Sequence, residues 1–285
     1  MSAEAPASRR VLLAGAADTL ERAGVASPRH DAETLLAHVT GRGRLEPVAD
    51  EVDPAAAERF AGLVARRAER EPLQHLTGSA PFRYLELEVG PGVFVPRPET
   101  EALAGWAIDL LMASDLRAPV VVDLCTGSGA IAASLAHEVE HAVVHAVELD
   151  PDAHAYAERN LRGSGVDLRL GDMADAFGDL DGRVDVVVAN PPYIPLEAWE
   201  SVEAEVRDHD PSLALWSGQD GLDATHVLEG VAARLLRPGG QVGSEHADVQ
   251  GQSVPQVFAA TGRWRDVRDH PDLAGRSRFT TAVRR

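Results

Sequence analysis

The segment that most limits what this chain can become is Val121-Val122-Asp123-Leu124-Cys125-Thr126-Gly127-Ser128-Gly129-Ala130, an apolar run that ends in a glycine turn and enters a helical stretch. A short, nearly unbroken run of this kind reads as a strand covered on both faces. Similar runs recur at residues 120–124, 142–147, 166–170, 184–189 and 240–245, each followed by residues of helical character. That alternation predicts an α/β fold with a doubly wound, mostly parallel sheet. In such sheets ligands bind in the crevice outside the carboxyl ends of the strands, so the residues just after each run are the functional candidates.

The first eighty residues have a different rhythm. Ser27-Pro28 and Asp53-Pro54 each set a capping side chain before a proline at the first helical position. Helices are predicted over 11–24, 28–40 and 54–70, and Glu71-Pro72 ends the pattern. From Phe82 to Val95 apolar residues alternate around Gly90-Pro91-Gly92, which predicts a β-hairpin centred on those glycines. A helix is expected near 99–113. The domains expected are a helical one over 1–80, a hairpin linker over 81–98 and the α/β domain over 99–285.

Charge narrows the function classes. The 285 residues carry 45 acids against 27 basic side chains, all of them Arg, for a formal charge of −18. Such a surface repels phosphate backbones, which argues against binding nucleic acid over a broad face and leaves room for a local basic patch. The excess is concentrated beyond residue 80, with 33 acids against 17 arginines. Eight of those acids lie in residues 194–223 (Glu197, Glu200, Glu203, Glu205, Asp208, Asp210, Asp220 and Asp223) against Arg207 alone. That segment reads either as a solvated insertion or as an acidic collar that steers a basic protein loop. No apolar run is long enough to span a membrane, and Asp18 interrupts the signal-like start after Arg9-Arg10. With one cysteine, Cys125, no internal disulfide is available, and the expected compartment is the cytoplasm. No HxH pair occurs among the eleven histidines, and although His137-Glu138-Val139-Glu140-His141 has HExxH spacing, its last histidine abuts the apolar run 142–147 instead of sharing a helix with the first, so no metal site is expected.

Two cofactor classes compete for the glycine turn. A dinucleotide site accepts Ala132 where its third glycine would stand, so the glycine spacing leaves both open. The flanking acids favour the other class. Glu148 ends the next run, about twenty residues on, where a carboxylate can take the hydroxyls of a ribose. Asp172 follows the third run, with Met173 beside it to lie against an adenine ring. An acid at three consecutive strand ends (Asp123, Glu148, Asp172) suits a nucleoside bearing a cation and no phosphate, as in S-adenosylmethionine. The competing explanation is that acids after strands cap the following helices.

Asn190-Pro191-Pro192-Tyr193 follows the fourth run. Elsewhere the tetrapeptide is a turn or a polyproline ligand; at a strand end on the glycine-turn edge it suits chemistry. A planar amide or aromatic amine is a poor nucleophile because its lone pair is delocalised. A site that holds both N–H bonds, one on the Asn190 side-chain oxygen and one on the Pro191 carbonyl, turns that lone pair toward an electrophilic methyl group. The prolines stiffen the loop and bring no competing N–H, and Tyr193 offers a flat face.

The motif is shared by methyltransferases that act on planar nitrogens. With the blocks Glu71 to Gly78, Phe94 to Glu101, Asp123 to Ala130, Asn190 to Ile194, and Glu245-His246 with Gln250-Gly251, the chain resembles the bacterial release-factor glutamine methyltransferases of the HemK type from about residue 10 to the C-terminus. The resemblance implies a small helical domain, a hairpin, and a seven-stranded sheet whose last strand, over 277–283, is antiparallel. It implies methyl transfer from S-adenosylmethionine to the glutamine side chain of the Gly-Gly-Gln loop of peptide chain release factors. Apart from the resemblance, a monomer with no direct nucleic-acid or membrane contact is expected. Cys125, Thr126, Gly127, Ser128 and Gly129 would line the methionine part of the cofactor, Glu148 its ribose, Asp172 and Met173 its adenine, with Asn190 at its edge. Asn190, Pro191, Pro192 and Tyr193 would grip the substrate amide, with Asn190, Pro191 and Tyr193 catalytic. Some relatives have an aromatic residue where Met173 stands and glycine where Cys125 stands.

Two other functions stay open at this point. A nucleic-acid amino-methyltransferase would use the same tetrapeptide, against the net charge and the lack of a basic arm. A nicotinamide-dependent oxidoreductase would use the glycine turn but leave Asn190 to Tyr193 idle. Cys125 reads as a small filler at a crowded turn, His246 as structural, and Arg97, between Pro96 and Pro98, as a pocket wall or a surface charge.

Overall fold

The computed structural model describes residues 7–42, 49–272 and 274–285. They form two compact units, one of residues up to Ser79 together with Glu203–His209, the other of Ala80–Val202 and Asp210–Arg285.

In the first unit the chain runs β1 (Ala7–Ser8), α1 (Arg9–Arg22), α2 (Pro28–Val39), β2 (Glu51–Val52), α3 (Pro54–Ala68) and α4 (Leu73–Thr77), with β1 and β2 paired antiparallel. Asp53 caps α3 as expected, accepting from Ala55 N at 3.0 Å and Ala56 N at 3.2 Å. Ser27 makes no side-chain cap hydrogen bond, so at α2 the proline alone marks the start. Leu20, Leu35, Leu36, Phe60, Val64 and Leu76 fill the core. Beside it Arg67 is buried in an ion pair with Asp31 at 2.8 Å and donates to Glu205 at 3.0 Å. Two charges on Arg67's fork offset the cost of removing it from water.

The second unit opens with β3 (Ser79–Phe82) and β4 (Leu85–Glu88), which pair with each other. The hairpin therefore turns at Arg83-Tyr84, where Arg83 adopts φ 51°, and not at Gly90-Pro91-Gly92. Past Glu88 the alternation continues because Val89, Val93 and Val95 are buried with Ala80 and Ala153, but they pack onto a helix with no strand partner. Gly90 is needed there for close approach, since a Cβ would collide with the Tyr156 hydroxyl.

The sheet unit continues with α5 (Glu101–Met112), β5 (Val120–Leu124), α6 (Ala130–Glu138), β6 (Val143–Glu148), α7 (Pro151–Asn160), β7 (Asp167–Leu170) and β8 (Val184–Ala189). After α8 (Ala204–His209), which belongs to the helical unit, come α9 (Ser212–Leu215), α10 (Asp223–Leu235), β9 (Leu236–Glu245), α11 (Ser253–Ala260), β10 (Trp264–Pro271) and β11 (Ser277–Arg284). The strand order is β10-β11-β9-β8-β5-β6-β7, seven strands with β11 antiparallel to both neighbours. This is the expected doubly wound α/β architecture. The strand of this sheet that pattern reading missed is β10, whose Arg, Asp and His residues form no apolar run. Charged side chains are usual on an edge strand, where they discourage pairing with another chain.

Alternate residues of the central strands feed two apolar layers: Val121, Val186 and Val188 face one, Val122, Leu124, Val187 and Ala189 the other. Burial on both faces explains the unbroken apolar runs. From β5 the chain winds to β6 and β7 on one side and returns to β8 on the other. Register places Leu124 beside both Val147 and Ala189, so the loops after β5, β6 and β8 leave one sheet edge side by side, at the topological switch point.

Candidate functional site

Immediately after β5 the backbone enters left-handed geometry at Cys125 (φ 61°), then again at Gly127 and Gly129. Thr126 N donates to Val147 O of β6 at 3.0 Å, tying the turn to the neighbouring strand end. Gly129 has φ 84°, and a Cβ there would press on Leu161 at 3.2 Å; this glycine lets α6 pack closely. In front of Gly127 a Cβ would meet nothing within 4 Å, so the turn is open on that side. Asn160 holds it from behind, donating to Ser128 O at 2.9 Å.

Asp123 lies under the turn, wholly buried. Its Oδ2 accepts from Thr126 Oγ1 at 2.6 Å and Ala132 N at 3.1 Å, while Oδ1 has no hydrogen-bond partner. Burial pushes this carboxyl up to about 7. A carboxylate on the first turn of α6 takes the place a pyrophosphate would need at the helix N-terminus, so the turn is poorly suited to a dinucleotide. Glu148, at the end of β6, accepts from Gly127 N at 2.7 Å and Asp150 N at 2.8 Å, and burial raises its pKa. With lone pairs left over, it remains able to accept from hydroxyl groups.

Met173 Sδ lies 3.6 Å from Cys125 Sγ, joining the third acid's loop to the turn. Burial, with the Glu148, Asp123 and Asp172 charges around it, pushes the Cys125 thiol up, the reverse of an activated nucleophile. Asp172 is exposed and its Oδ1 accepts from Ala174 N at 2.9 Å; it caps a turn, where the competing explanation expected a helix.

Beyond β8, Asn190 is half-buried and Pro191 buried. Asn190 Nδ2 donates to Thr100 Oγ1 at 3.3 Å, and Oδ1 makes no hydrogen bond within the described residues. The Tyr193 hydroxyl donates to Glu245 Oε1 at 3.4 Å, and the Tyr193 carbonyl accepts from Gln250 Nε2 at 3.1 Å. Glu245, at the end of β9, is held near 7 mainly by burial. Burial also raises the Tyr193 phenol, which stays a neutral donor.

The sheet therefore gathers Cys125, Thr126, Gly127, Ser128, Gly129, Glu148 and Met173 around one turn and sets Asn190, Pro191, Pro192 and Tyr193 on the adjacent loop. Pattern reading missed Thr100 and the way Glu245 is used; the only signal was their place in the blocks that carried the resemblance. Arg97 is fixed, with an ion pair to Asp210 at 2.6 Å and its guanidinium 4.9 Å over the Phe94 ring. His246 is buried, and burial lowers its pKa, in keeping with the structural reading. The acidic segment is less free than its charge suggests: Glu205 pairs with Arg67 and Arg70, Asp208 with Arg207, and Asp210 with Arg97. Among the described residues no cluster of His, Cys, Asp or Glu is placed to hold a metal ion, and no helix is long and apolar enough to cross a membrane.

Comparison with known proteins bears on what this edge does. Residues 12–78 match the PrmC N-terminal domain family and residues 107–204 the methyltransferase small domain family. A release factor glutamine methyltransferase from Streptomyces coelicolor is 59% identical, covering 95% of this chain and 98% of its own. One of the same name from Mycolicibacterium smegmatis is 48% identical, over 96% and 97%. A 4-amino-L-phenylalanine/4-methylamino-L-phenylalanine methyltransferase from Streptomyces pristinaespiralis is 42% identical, over 95% and 94%. Among solved structures, the hMettl16 catalytic domain in complex with MAT2A 3′UTR hairpin 6 shares the fold, at a TM-score of 0.55 and 14% identity over 78% of this chain and 81% of that one.

Proposed function

The chain belongs to the release factor glutamine methyltransferase family, and from that premise we propose that it methylates the side-chain amide nitrogen of the glutamine in the Gly-Gly-Gln loop of peptide chain release factors. The observation that carries this reading is the register of β5 with β8. It sets an asparagine whose NH2 end is already occupied, and whose oxygen is free, beside an open glycine turn.

S-adenosylmethionine fits the turn. The donor set is carboxylate and backbone, suited to a cationic nucleoside, and the position a pyrophosphate would need is filled by Asp123. Cys125, Thr126, Gly127, Ser128 and Gly129 would hold its methionine part, Glu148 its ribose, Asp172 and Met173 its adenine, with Asn190 at its edge; bound there, it supplies a methyl group on a sulfonium centre. Asn190 Oδ1 and the Pro191 carbonyl accept the two N–H bonds of the substrate amide, fix its plane and leave the nitrogen lone pair facing the cofactor side. Pro192 stiffens the loop, and Tyr193, tethered through its hydroxyl, lies against the flat amide. A strong base is unnecessary, since an N-alkylated amide cation gives up its proton to water. Orientation and fixed dipoles supply the catalysis. Residues 1–80 form the docking domain for the release factor, and the enzyme works as a cytoplasmic monomer without direct nucleic-acid contact.

A second reading has one observation in its favour, the relative named for an aromatic amine of a free amino acid. An aryl amine also presents a planar nitrogen with two N–H bonds. The greater identity to the release factor enzymes favours the first reading. Methyl-labelled cofactor incubated separately with release factor, 4-amino-L-phenylalanine, duplex DNA and ribosomal RNA decides the matter. Label is expected on the Gly-Gly-Gln glutamine. Label on the free amino acid alone would establish the second reading, and label on nucleic acid alone would refute both.

A further inference from the structure

Asn190 can accept an N–H from its substrate only if its oxygen, and not its NH2 group, faces outward. The two ends of a carboxamide have nearly the same size, so packing does not choose between them and a hydrogen bond must. That bond runs to Thr100 Oγ1. A threonine hydroxyl both donates and accepts, and its direction is set by what lies behind it. Behind it is Glu245, 1% exposed, whose Oε1 accepts from the Tyr193 hydroxyl at 3.4 Å while its buried Oε2 has no hydrogen-bond partner, and the Thr100 hydroxyl is near enough to favour its ionised form. With the Thr100 proton turned toward that unpartnered carboxylate oxygen, only the lone pairs of Oγ1 face Asn190; they accept its N–H and repel its oxygen. Thr100 is itself 4% exposed, so water does not compete for the bond.

We propose that Thr100, backed by Glu245, is the positioning residue that fixes the orientation of the Asn190 carboxamide and so sets the polarity of the site for a planar N–H2 group. This rests on the reading of Asn190 above. It also gives work to the stretch 96–100, whose Arg97 is anchored on Asp210 while Thr100 reaches the reactive loop. Four groups face Glu245: Arg278, Thr100 and Tyr193 favour its ionised form, while Glu99 and burial oppose it, leaving it near 7. When Glu245 is protonated it can donate to Thr100, reverse the chain of hydrogen bonds and present the Asn190 NH2 group to substrate. Turnover at saturating cofactor should therefore rise with pH through about 7.

Thr100→Val keeps the shape and removes the hydroxyl. It should lower kcat roughly tenfold or more while S-adenosylhomocysteine affinity stays unchanged, and Thr100→Ser should restore kcat to within about threefold. Glu245→Gln should lower kcat similarly and abolish the rise with pH. The assays use whichever of release factor and 4-amino-L-phenylalanine the wild type methylates, with Asn190→Ala alongside. Wild-type kcat in Thr100→Val, or a loss that Thr100→Ser does not recover, overturns the proposal while leaving the function intact, provided Asn190→Ala is inactive. Turnover surviving in Asn190→Ala overturns the reading of Asn190 and this inference with it, as does a wild type that labels neither substrate.

Discussion

The turn after β5 and the loop after β8 leave neighbouring strands, and each is backed by a buried carboxyl held near 7, Asp123 in one and Glu245 in the other. They use that carboxyl differently. Asp123 binds a backbone N–H and a hydroxyl three residues along, so the turn is held by groups close in sequence and offers main chain to a ligand. Glu245 receives the Tyr193 hydroxyl from 52 positions away and faces Thr100, which holds Asn190 across 90 positions, so the loop's working group is a side chain whose orientation depends on distant partners. Side-chain identity should therefore matter little at the turn and decisively at the loop.

The sharpest way to break that comparison is Asn190→Ala, expected to lower kcat at least about a hundredfold while leaving S-adenosylhomocysteine affinity near the wild-type value; normal turnover would show that the loop, too, works through its backbone. Next in size is the pH response of Asp123. Its folded pKa is raised, so its contribution to stability is most favourable below the unfolded carboxyl range and is lost as pH rises toward 7. Between pH 5 and 8 the unfolding free energy of cofactor-free wild type, relative to Asp123→Asn, should fall by about 2 kcal/mol in denaturant titrations. Glu148→Gln keeps the volume and removes the charge that the ribose hydroxyls would meet; cofactor affinity measured by calorimetry should fall about tenfold, with kcat at saturation little changed. The smallest effect is expected of Cys125→Gly. Relief of the left-handed backbone offsets the lost burial, so stability should change by less than about 1 kcal/mol and cofactor affinity by less than about twofold. A large loss there would mean that the Cys125 side chain, and not its backbone, serves the turn.

Much of this architecture could be read directly from the chain. The central strands were legible because burial on both faces leaves unbroken apolar runs, and 120–124 and 184–189 match β5 and β8 residue for residue. Asp53-Pro54 announced α3 because capping is settled within three residues. The misplaced hairpin shows the limit. Alternation from 82 to 95 records burial of every second residue, and burial against the Tyr156 face of α7 gives the same pattern as burial within a strand pair. β10 was lost for the opposite reason, since an edge strand can be polar and still belong to the sheet.

The candidate site divides in the same way. The order of residues by itself settles that a glycine turn, two acids and an Asn-Pro-Pro-Tyr loop end successive strands, because strand, turn and cap are decided by interactions across a few residues. Only the tertiary structure decided that Thr100 meets Asn190 across 90 positions, that Glu245 lies behind it, and that Glu205 and Asp210 are committed to arginines. Those outcomes depend on which polar groups lose water together, and that is fixed when the sheet closes.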